Sequence, residues 1–146
     1  MPHLDRKQPF SQSPIWQLQR NYFSEVGIDA WRTGEVPHYL TSNPVVGKTY
    51  AELVLAFLRD LSLKGRQTET VYLIELGAGH GRLCYHFFKH FEKYYDRSAI
   101  PLPPFCYILS DFTAANLGFW QEHPRLQPYL GKSWLEFAQF DVETSN

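Results

Sequence analysis

Val71-Tyr72-Leu73-Ile74-Glu75-Leu76-Gly77-Ala78-Gly79-His80-Gly81-Arg82 is the stretch that decides how this chain folds. It opens with β-branched, aliphatic and aromatic residues, passes through one acid, and then places glycine at three alternate positions. A helical pattern follows, with Leu83, Phe87, Phe88, Phe91, Tyr94 and Tyr95 on an inner side and Arg82, Lys89 and Lys93 outside. Strand, glycine turn and helix in that order begin an α/β fold, which opens a pocket at the carboxyl end of its first parallel strand. A dinucleotide fingerprint of the GxGxxG kind needs a third glycine where this chain has Arg82. The spacing here is ExGxGxG.

Upstream, Ile15, Leu18, Tyr22, Phe23 and Val26 recur at helical spacing, and Gly27 is a natural stop. Residues 31–44 read as a loop, and residues 1–14 as a flexible lead-in. From Val46 a strong helical pattern returns, with Val46, Tyr50, Leu53, Val54, Phe57, Leu58 and Leu61 predicted on one buried face until Lys64-Gly65-Arg66-Gln67 breaks it. The first strand is predicted over 70–76, and its unbroken apolar character predicts cover on both faces. Downstream come a proline-rich linker over 96–105, a second strand over 106–109 ending in Ser110-Asp111, a helix over 113–122, a short helix near 126–130 and a third strand over 135–140. The order β-α-β-α-β predicts right-handed crossovers and three strands side by side in one parallel sheet.

Composition narrows the function classes. The chain has 146 residues, 44% of them apolar and 16% aromatic, enough for one core. A formal net charge of −1 gives no bulk attraction to nucleic acid or to an anionic membrane, so neither is expected as a partner. Residues 1–13 lack the apolar stretch of a secretory signal, and no segment approaches the about 18 unbroken apolar residues of a membrane span. The expectation is a soluble, cytoplasmic protein. Cys84 and Cys106 do not suggest a disulfide framework. His86 and His90 stand four apart on one helix, but without an HExxH pattern or a nearby carboxylate they read as solvent-facing, and no metal is expected. Neither Ser11 nor Ser110 has the flanks of a nucleophile elbow, and Leu102-Pro103-Pro104-Phe105 reads as a loop.

The ExGxGxG pattern resembles motif I of the class I S-adenosylmethionine-dependent methyltransferases. The stretch Gly34-Glu35-Val36-Pro37-His38-Tyr39-Leu40-Thr41-Ser42-Asn43-Pro44, followed by Tyr50-Ala51-Glu52-Leu53, is similar to the segment preceding the fold in MidA-like members of that family. The resemblance implies the first half of a Rossmann-like methyltransferase parallel sheet preceded by an N-terminal helical segment. On that reading residues 1–69 form a lead-in and helical cap, and 70–146 a partial cofactor-binding domain. It further implies S-adenosylmethionine as cofactor, with Gly77, Ala78, Gly79 and Gly81 lining its methionine portion and Glu75 supplying negative charge near its cationic end. Asp111 would accept from the ribose hydroxyls, Phe112 would lie near the adenine, Asp141 would accept from the adenine amino group, and the Val142 amide would face a ring nitrogen. Competing readings stay open: a glycine turn serving packing alone, an Asp111 that caps the helix beginning near Thr113, and a solvated strand end at Asp141. MidA-like enzymes resemble protein arginine methyltransferases, which implies a protein acceptor. No residue is assigned as a catalytic base. The alternative is a truncated or degenerate methyltransferase-like module that binds without turnover. A half-sheet implies an exposed edge, at the third strand or its neighbour, prone to self-association.

Overall fold

Three glycines in the left-handed region, Gly77, Gly79 and Gly81 at φ 64°, 55° and 67°, turn the chain sharply out of the first strand into a helix. In the computed structural model, which describes residues 8–143, this turn joins β1 (Val71–Glu75) to α4 (Arg82–Tyr95). Before it come α1 (Ile15–Val26), α2 (Asp29–Arg32) and α3 (Pro44–Leu63); after it β2 (Phe105–Asp111), α5 (Ala114–Glu122), α6 (Gln127–Gly131) and β3 (Leu135–Gln139). The strands lie in the order β1-β2-β3 and both pairings are parallel, as the β-α-β-α-β pattern predicts. The architecture is α/β.

In-register pairing of Leu73 with Tyr107, and of Tyr107 with Leu135, sets those side chains on one face of the sheet. That face carries the core. Phe87, Phe88 and Phe91 of α4 are at most 1% exposed, and Phe88 stacks on Tyr129 with ring centroids 4.3 Å apart. Each such buried phenylalanine contributes about 1.5–3 kcal/mol of transfer free energy. The same cluster takes in Ala51, Leu55 and Leu58 from α3, so the residues before the sheet share its core.

Several sequence expectations need correction. The buried face of α3 is Gly47, Ala51, Leu55, Leu58 and Ser62, whereas Tyr50, Leu53 and Phe57 are exposed. Close approach explains it. A Cβ added at Gly47 would stand 2.5 Å from the His86 Cβ and within 3 Å of α4 backbone, so only small residues fit the crossing. His86 is accordingly half-buried against α3 rather than solvent-facing. The helix also starts earlier than Val46. Asn43 caps it, its side chain accepting from the amides of Val45 at 2.9 Å and Val46 at 3.0 Å, and Pro44 takes the first helical position.

Residues 31–44 are not all loop, since α2 reaches Arg32. Helix α1 forms where predicted but has no buried residue, and Ile15 and Leu18 face outward. Among the described residues, only one face of β1 is covered. Tyr72 and Ile74 are 59% and 56% exposed, against the cover on both faces that an unbroken apolar strand predicts. β1 and β3 are the two outer strands of the described sheet. The expectations for residues 1–7 and 144–146 lie outside the described residues. Among the described residues, no helix is long and apolar enough to cross a membrane.

Candidate functional site at the carboxyl ends of the strands

Parallel pairing brings the ends of β1 and β2 together, and one buried carboxylate ties them. Asp111, 3% exposed, accepts the Gly79 amide on Oδ2 at 2.9 Å. Its Oδ1 accepts both the amide and the hydroxyl of Thr113, at 3.0 and 2.9 Å. The turn is fastened from two further sides. The Ala78 amide donates to the Ser110 carbonyl at 2.9 Å, and the Trp120 indole donates to the Gly79 carbonyl at 3.0 Å. These bonds leave the glycine turn rigid with its backbone close beneath the surface.

A cavity of about 370 Å³ lies at these strand ends, walled by Gly77, Asp111, Phe112 and Asn116 from the sheet side and by Trp16, Arg20, Phe23 and Trp31 from α1 and α2. Asn116 is 1% exposed and, among the described residues, its Oδ1 has no hydrogen-bond partner. An orphaned buried acceptor costs about 1–3 kcal/mol, so this wall of the cavity calls for a ligand carrying a hydroxyl or amino donor. Gly77 meets the same cavity with open space where a side chain would stand.

The structure brings some of the sequence-predicted residues together here and disperses others. Gly77, Asp111 and Phe112 line the cavity. Gly79 and Ala78 are buried under it, and a Cβ at Gly79 would stand 2.6 Å from the Trp31 ring. Gly81 opens instead to a second cavity on the other side of the turn. The Glu75 carboxyl points into the helix-covered side and accepts from the Tyr107 hydroxyl at 2.6 Å. Desolvation there raises its pKa to about 7, offset in part by the tyrosine hydrogen bond. Asp141 is bound by Arg20, whose guanidinium donates at 3.2 Å to Oδ1 and also reaches Glu143 at 3.1 Å. The same guanidinium lies 4.8 Å above the Phe112 ring. Val142 is 68% exposed.

Sequence reasoning missed Asn116 and the aromatic and cationic wall. Trp16, Arg20 and Phe23 follow i, i+4, i+7 spacing, which marks one face of α1. Phe23 stacks on Trp31 at 5.3 Å with an interplanar angle of 17°. Trp31 in turn lies against Gly79. Among the described residues, no group of His, Cys, Asp or Glu side chains is arranged to hold a metal ion.

The chain matches no protein-family model, no curated protein and no solved structure.

Proposed function

We propose that the chain is the cofactor-binding portion of a class I S-adenosylmethionine-dependent methyltransferase, cytoplasmic and acting on a protein acceptor. One observation carries the reading: the glycine turn and the strand-two acid are linked by a hydrogen bond, Gly79 to Asp111, beside one cavity that Gly77 and Asp111 both line. The donor set suits the cofactor. Asn116 Oδ1 is an unused acceptor, a carboxylate such as Asp111 has lone pairs beyond the three bonds it accepts, and Phe112 offers an aromatic face. Gly77 would approach the methionine portion, and Asp111, Phe112 and Asn116 would hold the ribose and adenine. The bound cofactor supplies an electrophilic methyl group, and the protein contributes orientation and exclusion of water.

Calorimetric titration tests the reading. Saturable binding of S-adenosylhomocysteine and none of NAD is the expected result. N116L should weaken that binding about tenfold or more, because a donor loses its buried acceptor. Saturable NAD binding with no response to S-adenosylhomocysteine would overturn the reading.

A second reading, a methyltransferase-like binding module without turnover, has its own support. Arg20 already pairs with Asp141 and covers Phe112, and Trp31 covers Gly79, so internal partners occupy the places a cofactor needs. Transfer of a labelled methyl group to any protein acceptor separates the two readings.

A half-sheet implies the exposed edge at the third strand or its neighbour; β1 is also an outer strand, and its uncovered face adds support for self-association there. Tyr72 and Ile74 on this outer strand, with Leu76 just past its end, expose an apolar strip. Sedimentation should show concentration-dependent dimers that I74K abolishes; a wild-type chain monomeric at high concentration would contradict this.

A further inference from the structure

We propose that the second cavity, between α2, the start of α4 and the end of α5, is a binding site for a phosphate monoester carried on a flat apolar body. This site is independent of the methyltransferase reading. The two cavities have Trp31 in common, but the glycine turn gives Gly77 to one and His80, Gly81 and Arg82 to the other. The second cavity is also about 370 Å³, a size suited to a small aromatic ligand.

Charge is the first argument. Arg82 and Arg125 both line the cavity, and among the described residues neither has a carboxylate partner. The acid on the wall, Asp29, is already paired with Arg32 at 3.0 Å. Two arginines without a carboxylate partner among the described residues therefore line one space, in a chain whose formal net charge is −1. Guanidinium forks match phosphate oxygens in geometry, and two of them suit a dianion better than a single carboxylate.

Preorganisation is the second. Arg125 is held over the Tyr85 ring, 5.3 Å from its centroid, and Arg82 donates to His38 Nε2. Both guanidiniums are thus positioned before any ligand arrives. His80 adds a polar atom at the cavity, since its buried Nε2 has no partner among the described residues. The apolar wall is the third argument. Phe119 and Trp31 offer the flat surfaces that an aromatic or similarly planar body would contact.

Phenyl phosphate is the probe, with benzoate, phenol and inorganic phosphate as comparison arms in calorimetric titrations of the full chain. Phenyl phosphate should saturate, with benzoate and inorganic phosphate each weaker by about tenfold or more and phenol not binding. R82Q and R125Q should each weaken phenyl phosphate by about tenfold or more, and salt should weaken it further. Arg125 is exposed on a loop and touches Tyr85, so R125Q alone carries the test if R82Q perturbs the glycine turn. Absence of saturation, or wild-type affinity in R125Q, would overturn the site. Benzoate binding as tightly as phenyl phosphate would overturn the assignment to a dianion. A chain that binds phenyl phosphate but no S-adenosylhomocysteine would lose the proposed function and keep this inference.

Discussion

Alanine at position 111 should cost the fold more than it costs any ligand. Asp111 is the shared acceptor of the Gly79 amide, the Thr113 amide and the Thr113 hydroxyl, all at 3.0 Å or less. Removing the carboxylate strands at least two buried amides, at about 1–3 kcal/mol each. The expected loss is therefore about 2–6 kcal/mol, a large share of the stability of a small domain. D111N keeps one acceptor oxygen and should lose less. Urea denaturation of the three proteins reads this directly. A D111A midpoint equal to wild type would show that the carboxylate does not hold the turn. The geometry also changes what an affinity loss in D111A would mean, because a collapsed turn mimics a lost ribose contact. Cofactor contacts are better judged at Asn116, whose acceptor is unused.

The second large effect is a pH dependence with two opposing parts. Glu75 has its pKa raised from 4.5 to about 7 by desolvation, so the fold favours its protonated form. Between those values the unfolded chain ionises first, and stability falls as pH rises. Above about 7 the full penalty is present, on the order of 3 kcal/mol. His80 runs the other way. Burial first, then the His38 and Arg82 charges, lower its pKa from 6.5 to about 4. Between those values the unfolded chain binds the extra proton, so stability rises with pH. The two slopes offset each other from about pH 4.5 to 6.5, which leaves a shallow net profile. E75Q removes one slope and should expose the other. Its stability relative to wild type should climb from pH 4.5 to 7 and level off above, as read from urea midpoints across pH. Parallel profiles for the two proteins would contradict the burial of an ionisable carboxyl at this place.

Much of the backbone was legible in local pattern. The glycine spacing and the alternation of strand and helix signals predicted the turn, the element order and the parallel sheet, because those depend on local conformation and on the handedness of crossovers. Facing was harder. Helix α3 presents two candidate stripes, and hydrophobicity favours Tyr50, Leu53 and Phe57. The stripe of Gly47 and Ala51 is the one buried, because α4 comes too close for anything larger. The unbroken apolar strand likewise predicted cover on both faces, but local pattern does not fix whether partners are there, and among the described residues nothing covers Tyr72 and Ile74.

The site was half legible. Gly77, Asp111 and Phe112 could be placed together because strand ends and glycine turns have a fixed relation in a parallel sheet. Arg20 and Trp31 could not. They reach the site from helices far back in the chain, through contacts such as Arg20 with Asp141 that span 121 positions. Asn116 carried no signal beyond a polar residue in a helix. Its significance comes from being buried at a cavity without a partner.

S-adenosylmethionine is proposed to sit where the glycine turn meets Asp111 and Asn116. Amide resonances of the isotopically labelled chain, followed during addition of S-adenosylhomocysteine, test it most directly. Saturable shifts are expected at the Gly77 and Gly79 amides and at the Asn116 side-chain amide, with Arg125 and its loop unmoved. Unchanged spectra, or shifts confined to residues away from the glycine turn, would contradict it.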